Sequence, residues 1–196
     1  MKKFTFILFY LLSLSLFAQP CKTIKSIEET DTGETGVYYK DLEEIYDKFE
    51  GTYEYNGDDF YFKIILKKVY FEFKDGDYTM CWDQLVGGYL YKINGEEIAN
   101  TLYDFETLKR GQRAKLDINY IHKFKRYKFC KECTSKIHIS GWISDIDIEK
   151  VGASIFIAHK FEGQEDISVE IEIPSSAPQT PKNLPLCEFT MVKISE

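Results

Sequence analysis

The sequence predicts an all-β fold: an antiparallel meander of about nine or ten strands, forming a barrel or a sandwich, with one short N-terminal helix. Three observations carry this. Apolar and polar residues alternate at period two through most of the chain. Asn-Gly and Asp-Gly dipeptides separate those runs, as tight hairpins require. The helical period occurs once, near the N-terminus, so there is no strand–helix–strand rhythm from which a parallel sheet could be built.

The chain begins with material outside that domain. Lys2-Lys3 precede the almost wholly apolar Phe4 to Phe17, and Ala18 is a small residue before Gln19. This pattern reads as a secretory signal peptide over residues 1–18. Removing 18 of 196 residues leaves 178, enough for one domain with a sizeable core. Lys2 and Lys3 leave with the signal, taking Lys plus Arg from 25 to 23 against 32 acids, a balance of −9. An acidic chain is a poor ligand for nucleic acid, and no later segment is long and apolar enough to span a bilayer as a helix. The expected location is the periplasm or the extracellular space. A lipid anchor at Cys21 is the minor alternative, since Pro20 just before it departs from the usual lipidation pattern.

Residues 19–40 are polar and turn-rich around Glu28 to Gly36, and read as a flexible lead-in to a single β domain over 41–196. That domain opens on Leu42, Ile45, Tyr46 and Phe49, one apolar stripe of a short helix, with Asp41 as its cap and Glu44 three residues on. Gly51 supplies the backbone freedom to leave the helix. Thr52 to Tyr55 then forms a strand ending in the Asn56-Gly57 turn.

Phe60, Phe62, Ile64 and Leu66 continue the alternation, and after Lys67-Lys68 the apolar set changes parity to Val69, Phe71 and Phe73. A parity change predicts a bulge or two separate strands. Asp75-Gly76-Asp77 turns the chain into Tyr78 to Trp82, and Asn94-Gly95 marks a hairpin between Val86–Ile93 and Ile98–Tyr103. Further strands read over Leu116–Phe124, Ile137–Trp142, Ile155–Phe161 and Ile167–Ile173. Pro174 to Pro185 holds four of the five prolines and reads as an extended loop before a last strand from Leu186 to Ile194.

The opening Phe49-Glu50-Gly51-Thr52-Tyr53, a short helix followed by antiparallel strands, resembles the start of lipocalin-like (calycin) barrels, with Tyr53 where that family carries Trp. The wider set Phe49 to Gly57, Lys63 to Lys67 and Leu85-Val86-Gly87-Gly88-Tyr89 resembles a family of small exported bacterial β proteins. The first resemblance implies a ligand-binding barrel; the second implies no activity.

Five cysteines remain after the signal: Cys21, Cys81, Cys130, Cys133 and Cys187. An oxidising compartment permits disulfides, and an odd count leaves at least one unpaired within the chain. Cys130-x-x-Cys133 reads first as a disulfide stapling a hairpin tip. Zinc, with His122 and His138 as further ligands, and dithiol redox chemistry are the alternatives, but no second cysteine pair and no thioredoxin-like unit supports them. Cys81 and Cys187 fall in predicted strands, as buried thiols or a second bridge.

Residues 109–136 hold ten Lys or Arg against two acids, a net +8 that leaves the rest of the mature chain at −17. Lys123, Lys125, Arg126 and Lys128 form the centre of a basic strand face suited to an anionic glycan or protein. Aromatic residues are the other excess, with 14 Tyr and 15 Phe. Trp82, Tyr89, Tyr91 and Trp142, with His159 at a barrel mouth, are the candidates to line a site for a small apolar or amphipathic ligand. No histidine has a nucleophile placed beside it by a recognisable motif. The sequence therefore assigns no catalytic residue, metal or cofactor, and the expectation is a non-enzymatic binding protein of undetermined oligomeric state.

Overall fold

A computed structural model describes residues 20–28, 33–106, 114–123, 130–147, 151–161, 163–175 and 179–195. Among these residues eleven strands are formed: β1 (Thr23–Ser26), β2 (Val37–Lys40), β3 (Gly51–Asn56), β4 (Phe60–Asp75), β5 (Tyr78–Ile93), β6 (Glu96–Asn100), β7 (Leu116–His122), β8 (His138–Ser144), β9 (Gly152–His159), β10 (Ile167–Glu172) and β11 (Glu188–Ser195). A 3-10 turn spans Tyr46–Phe49, and α1 is a single short helix over Leu102–Glu106.

Eight of the strands close into an antiparallel barrel in the order β3-β4-β5-β7-β8-β9-β10-β11, with β11 paired back onto β3. Closure removes the exposed sheet edges that an open meander would leave. Strand β6 is diverted along the far end of β5, which frees the middle of β5 to receive β7 at Leu85↔Ile118 and Gly87↔Leu116.

Alternation decides what fills the barrel. Phe62, Ile64, Leu85, Tyr89, Leu116, Ile118, Ile139, Ile143, Ile155, Ile157, Ile167 and Val169 are all fully withdrawn from water in one core. Burying one such side chain contributes about 1.5–3 kcal/mol. Gly141 sits where β8 crosses β7 so closely that a Cβ would lie 1.9 Å from the Asp117 carbonyl oxygen; a glycine there lets the wall coil tightly.

Besides the strand read over Ile98–Tyr103, which ends at Asn100 and gives way to α1 over Leu102–Glu106, three expectations change. The helix expected from Leu42 onward is only the four-residue 3-10 turn. Asp41 does cap it, accepting from the Ile45 and Tyr46 amides at 2.9 and 2.7 Å. Glu44, however, sits at φ 52°, so no helix can run through it from Leu42 to Phe49, and Leu42 is left exposed.

The parity change at Lys67-Lys68 is neither a bulge nor a break. Strand β4 runs on for 16 residues, in continuous register with β5 from Phe60↔Ile93 to Asp75↔Tyr78. The far half of this hairpin leaves the barrel and forms a side sheet with β2 and β1, which lie parallel to β5. On β4 neither face of this half is fully buried: Val69 and Phe71 are half-buried, Phe71 against Trp82, and Phe73 is exposed, so the switch in the apolar set marks where the strand leaves the barrel and not a second core.

The third change lies between residues 19 and 40, read as a loose lead-in. Strands β1 and β2 lie there, Val37 and Tyr39 are buried, and a Cys21–Cys81 disulfide with S–S 2.02 Å ties the segment to β5. With its sulfur in that bridge, Cys21 has no thiol for a lipid, and Cys81 is not the partner of Cys187, which is free and exposed.

Candidate functional site

Both barrel ends are occupied by the chain itself. At one end Tyr55, Phe60, Tyr91 and Phe189 pack ring against ring, with centroids 4.6–5.8 Å apart. The loop after β10 straps across this end through Asp145, which is fully buried. It accepts hydrogen bonds from the Asp147, Lys182 and Asn183 amides and the Asn183 side chain at 2.8–3.1 Å. Burial acts to raise the Asp145 pKa, but these donors outweigh it and hold the carboxyl below its usual range.

At the other end the 3-10 turn is the plug, with Ile45, Tyr46 and Phe49 fully buried. Two carbonyls at its C-terminal end are pinned to the wall: Lys48 O accepts from His159 Nε2 at 3.0 Å, and Phe49 O accepts from the Tyr53 hydroxyl at 3.2 Å. Gly51, at φ 139°, makes the turn from plug to strand. The His159 ring stacks on Phe49 at 4.5 Å. A carbonyl only accepts, so Nε2 carries the imidazole proton, and Nδ1 is buried without a hydrogen bond of normal geometry. Burial lowers the His159 pKa below the ordinary imidazole value and Lys193 pushes the same way, partly offset by the carbonyls of Lys48, Gln164 and Asp166.

Above this plug lies a cleft of about 810 Å³. Phe49, Ile137 and His159 supply its apolar and aromatic lining; Lys48, Lys123, Lys136 and Lys193 stand with Glu43, Asp47 and Glu165 around them. Lys123 bridges Glu28 and Glu43 at 2.6 and 2.7 Å, and those two carboxylates raise its pKa. Lys193 lies 3.7 Å from Glu165, and Asp47 is held by Lys68 at 2.7 Å. Burial opposes the charge on Lys68, but Asp47, Asp41 and Asp83 overcome it and raise its pKa.

Of the residues expected to line a ligand site, His159 alone reaches this cleft. Tyr89 is inside the filled barrel, donating to Ser144 O at 2.7 Å. Tyr91 belongs to the ring cluster at the opposite end. Trp82 is half-buried on the side sheet, 4.5 Å from Phe71, and Trp142 lies half-buried against Gly152. The four aromatic residues therefore do not converge. Phe49, Lys48, Ile137, Lys136 and Lys193 were not singled out as site residues. Phe49 had a signal in the apolar stripe of the opening segment and Lys136 in the basic run, while Lys48, Ile137 and Lys193 carry no motif that marks them.

The basic run is dispersed. Lys123 and Lys136 reach the cleft, Lys131 lies on the outer wall, and Lys115 is 3.5 Å from the Asp145 carbonyl oxygen near the opposite end. Lys125, Arg126 and Lys128 lie outside the described residues, as does the expected signal peptide.

Cys130 and Cys133 form a disulfide that packs with Phe156 and Ala158 on the outside of the barrel. This removes both thiolates from the zinc alternative. His122 and His138 stack at 4.5 Å across the β7–β8 pair, with His122 Nε2 2.8 Å from the Ser140 hydroxyl. Among the described residues, no group of three or more His, Cys, Asp or Glu side chains is placed to hold a metal, and no helix is long and apolar enough to cross a membrane.

Two disulfides fit an oxidising environment of the kind an exported chain meets. No curated protein and no solved structure matches the chain. Residues 1–193 match a family of unknown function, DUF6705, and the chain belongs to that family.

Proposed function

We propose that this protein is an exported, non-enzymatic binding protein that holds a small amphipathic ligand at the plugged mouth of its barrel. The likeness of its opening segment to lipocalin-like barrels first raised a ligand. One observation carries the present reading: the barrel interior is filled by side chains, while the cleft over Phe49 and His159 pairs aromatic and apolar surface with a polar rim. The ligand is thus held over the plug, not inside the barrel. The alternative, a surface module for an anionic glycan or protein partner, draws on Lys123 and Lys136, which line the same cleft.

The test is a titration of ¹⁵N,¹³C-labelled protein with dodecanoate below its micellar range. Shift changes centred on Phe49, Ile137 and His159 support the reading. No change, or changes centred on interior residues such as Tyr89 and Ile155, overturns it.

A further inference from the structure

The geometry points to an anionic head group on the ligand of this cleft, recognised by Lys48 and Lys136. This inference rests on the reading that the cleft binds an amphipathic molecule.

The argument is a charge balance. Every acid that lines the cleft already has a cation against it: Glu43 has Lys123, Asp47 has Lys68, and Glu165 has Lys193. Lys68 is itself outside the lining, so it neutralises Asp47 without consuming a lysine of the cleft. Lys123 and Lys193 are spent on their own partners. Lys48 and Lys136 remain, both exposed, both lining the cleft, and neither in an ion pair among the described residues. The cleft thus keeps two uncompensated ammonium groups in a protein whose overall charge is −7.

What lies beneath those two charges gives the class of molecule. Phe49 and Ile137 offer apolar contact. The half-buried His159 ring contributes an aromatic face stacked on Phe49, and its partial burial disfavours the imidazolium. A free inorganic anion would leave that floor uncovered, and a neutral lipid would leave the two lysines unanswered. A single-chain amphiphile with a carboxylate, sulfate or phosphate head satisfies both. Its chain covers the Phe49–His159 stack and its head sits between Lys48 and Lys136. Charge complementarity of this kind sets selectivity between heads more than total affinity.

Isothermal titration with four probes tests it: dodecanoate, dodecylamine, dodecanol and inorganic phosphate. The wild-type protein is expected to bind dodecanoate best and phosphate without its chain not measurably. K48E/K136E should lose dodecanoate binding by about tenfold or more, since two weak attractions become repulsions, and should gain dodecylamine. K48Q/K136Q, with the charges removed but not reversed, should fall between. Circular dichroism of both variants checks that the barrel is intact; both positions are exposed, so folding should be unaffected. If all three C12 probes bind equally and neither variant matters, the head-group inference fails while the cleft reading stands. If no C12 probe binds, the cleft reading itself fails. If phosphate binds as well as dodecanoate, the site is a plain anion site and the amphiphile is excluded.

Discussion

His159 lies on Phe49 with ring centroids 4.5 Å apart and an interplanar angle of 29°, and so joins the wall of the barrel to its plug. The same imidazole donates to the Lys48 carbonyl oxygen, one residue before Phe49. A wall strand and a four-residue turn, 111 positions apart in sequence, meet through one side chain.

That contact predicts a dependence on pH. The folded pKa of His159 lies below its ordinary value of 6.5, chiefly through burial. As pH falls, the unfolded chain takes up this proton first, so the neutral imidazole's contribution is present above about 6.5 and is lost on acidification down to the folded pKa. Urea titrations between pH 7.5 and 5 should show falling stability in the wild type and a flatter profile in H159Q. Equal slopes in the two proteins would assign the pH dependence to other groups.

The two disulfides should differ in weight. Cys21–Cys81 closes a separation of 60 residues and Cys130–Cys133 one of 3. On the chain-entropy relation, the first contributes about 4 kcal/mol and the second about 2 kcal/mol. The C21S/C81S and C130S/C133S pairs, compared by chemical denaturation, should separate in that order. A larger loss in the second pair would mean that packing of Cys130 and Cys133 on Phe156 outweighs the chain entropy.

The strap at the other barrel end depends on Asp145. In D145A the Lys182 and Asn183 amides lose their acceptor, and a buried charge-assisted network is removed at a cost of about 3 kcal/mol. Hydrogen exchange at residues 182 and 183 should accelerate well before the barrel strands open. Unchanged exchange there would show that the strap is held by Leu184 packing alone.

Gly141 gives a steric test. A methyl group directed at the Asp117 carbonyl oxygen forces β7 and β8 apart. G141A should cost about 1–3 kcal/mol or more, the range of an overpacked site. The thermal midpoint relative to wild type reads it, and an unchanged midpoint would mean the wall relaxes at that crossing.

The barrel was legible because its signal is local. Ile167, Val169 and Ile171 alternate with Ser168, Glu170 and Glu172, and that pattern marks the face that enters the barrel core, with Ser168 buried on the other side. The Asn94-Gly95 hairpin was legible in the same way, with Asn94 at φ 51° and Gly95 at φ 82°. The side sheet was not. Strand β2 is four residues of VYYK, whose strand identity depends on docking beside Met80 to Trp82 far along the chain. The plug lost its helix because Glu44 takes a left-handed conformation that apolar spacing does not encode. The cleft was least legible. Its lining comes from the plug, the ends of β9 and β11 and two connecting segments, and only closure of the barrel sets them side by side.

Pairing of β11 with β3 has a kinetic consequence. Every other seam of the ring joins strands that follow one another in the meander, apart from the step over β6. The β3–β11 seam joins Tyr53 to Lys193, across almost the whole domain. Loop closure over that span is the slow event. An emerging or refolding chain must therefore carry two open strand edges until its final segment arrives. Loss of residues 188–195 would make that transient state permanent, so a truncated chain is expected to pair edge to edge with other copies and not to remain a monomer.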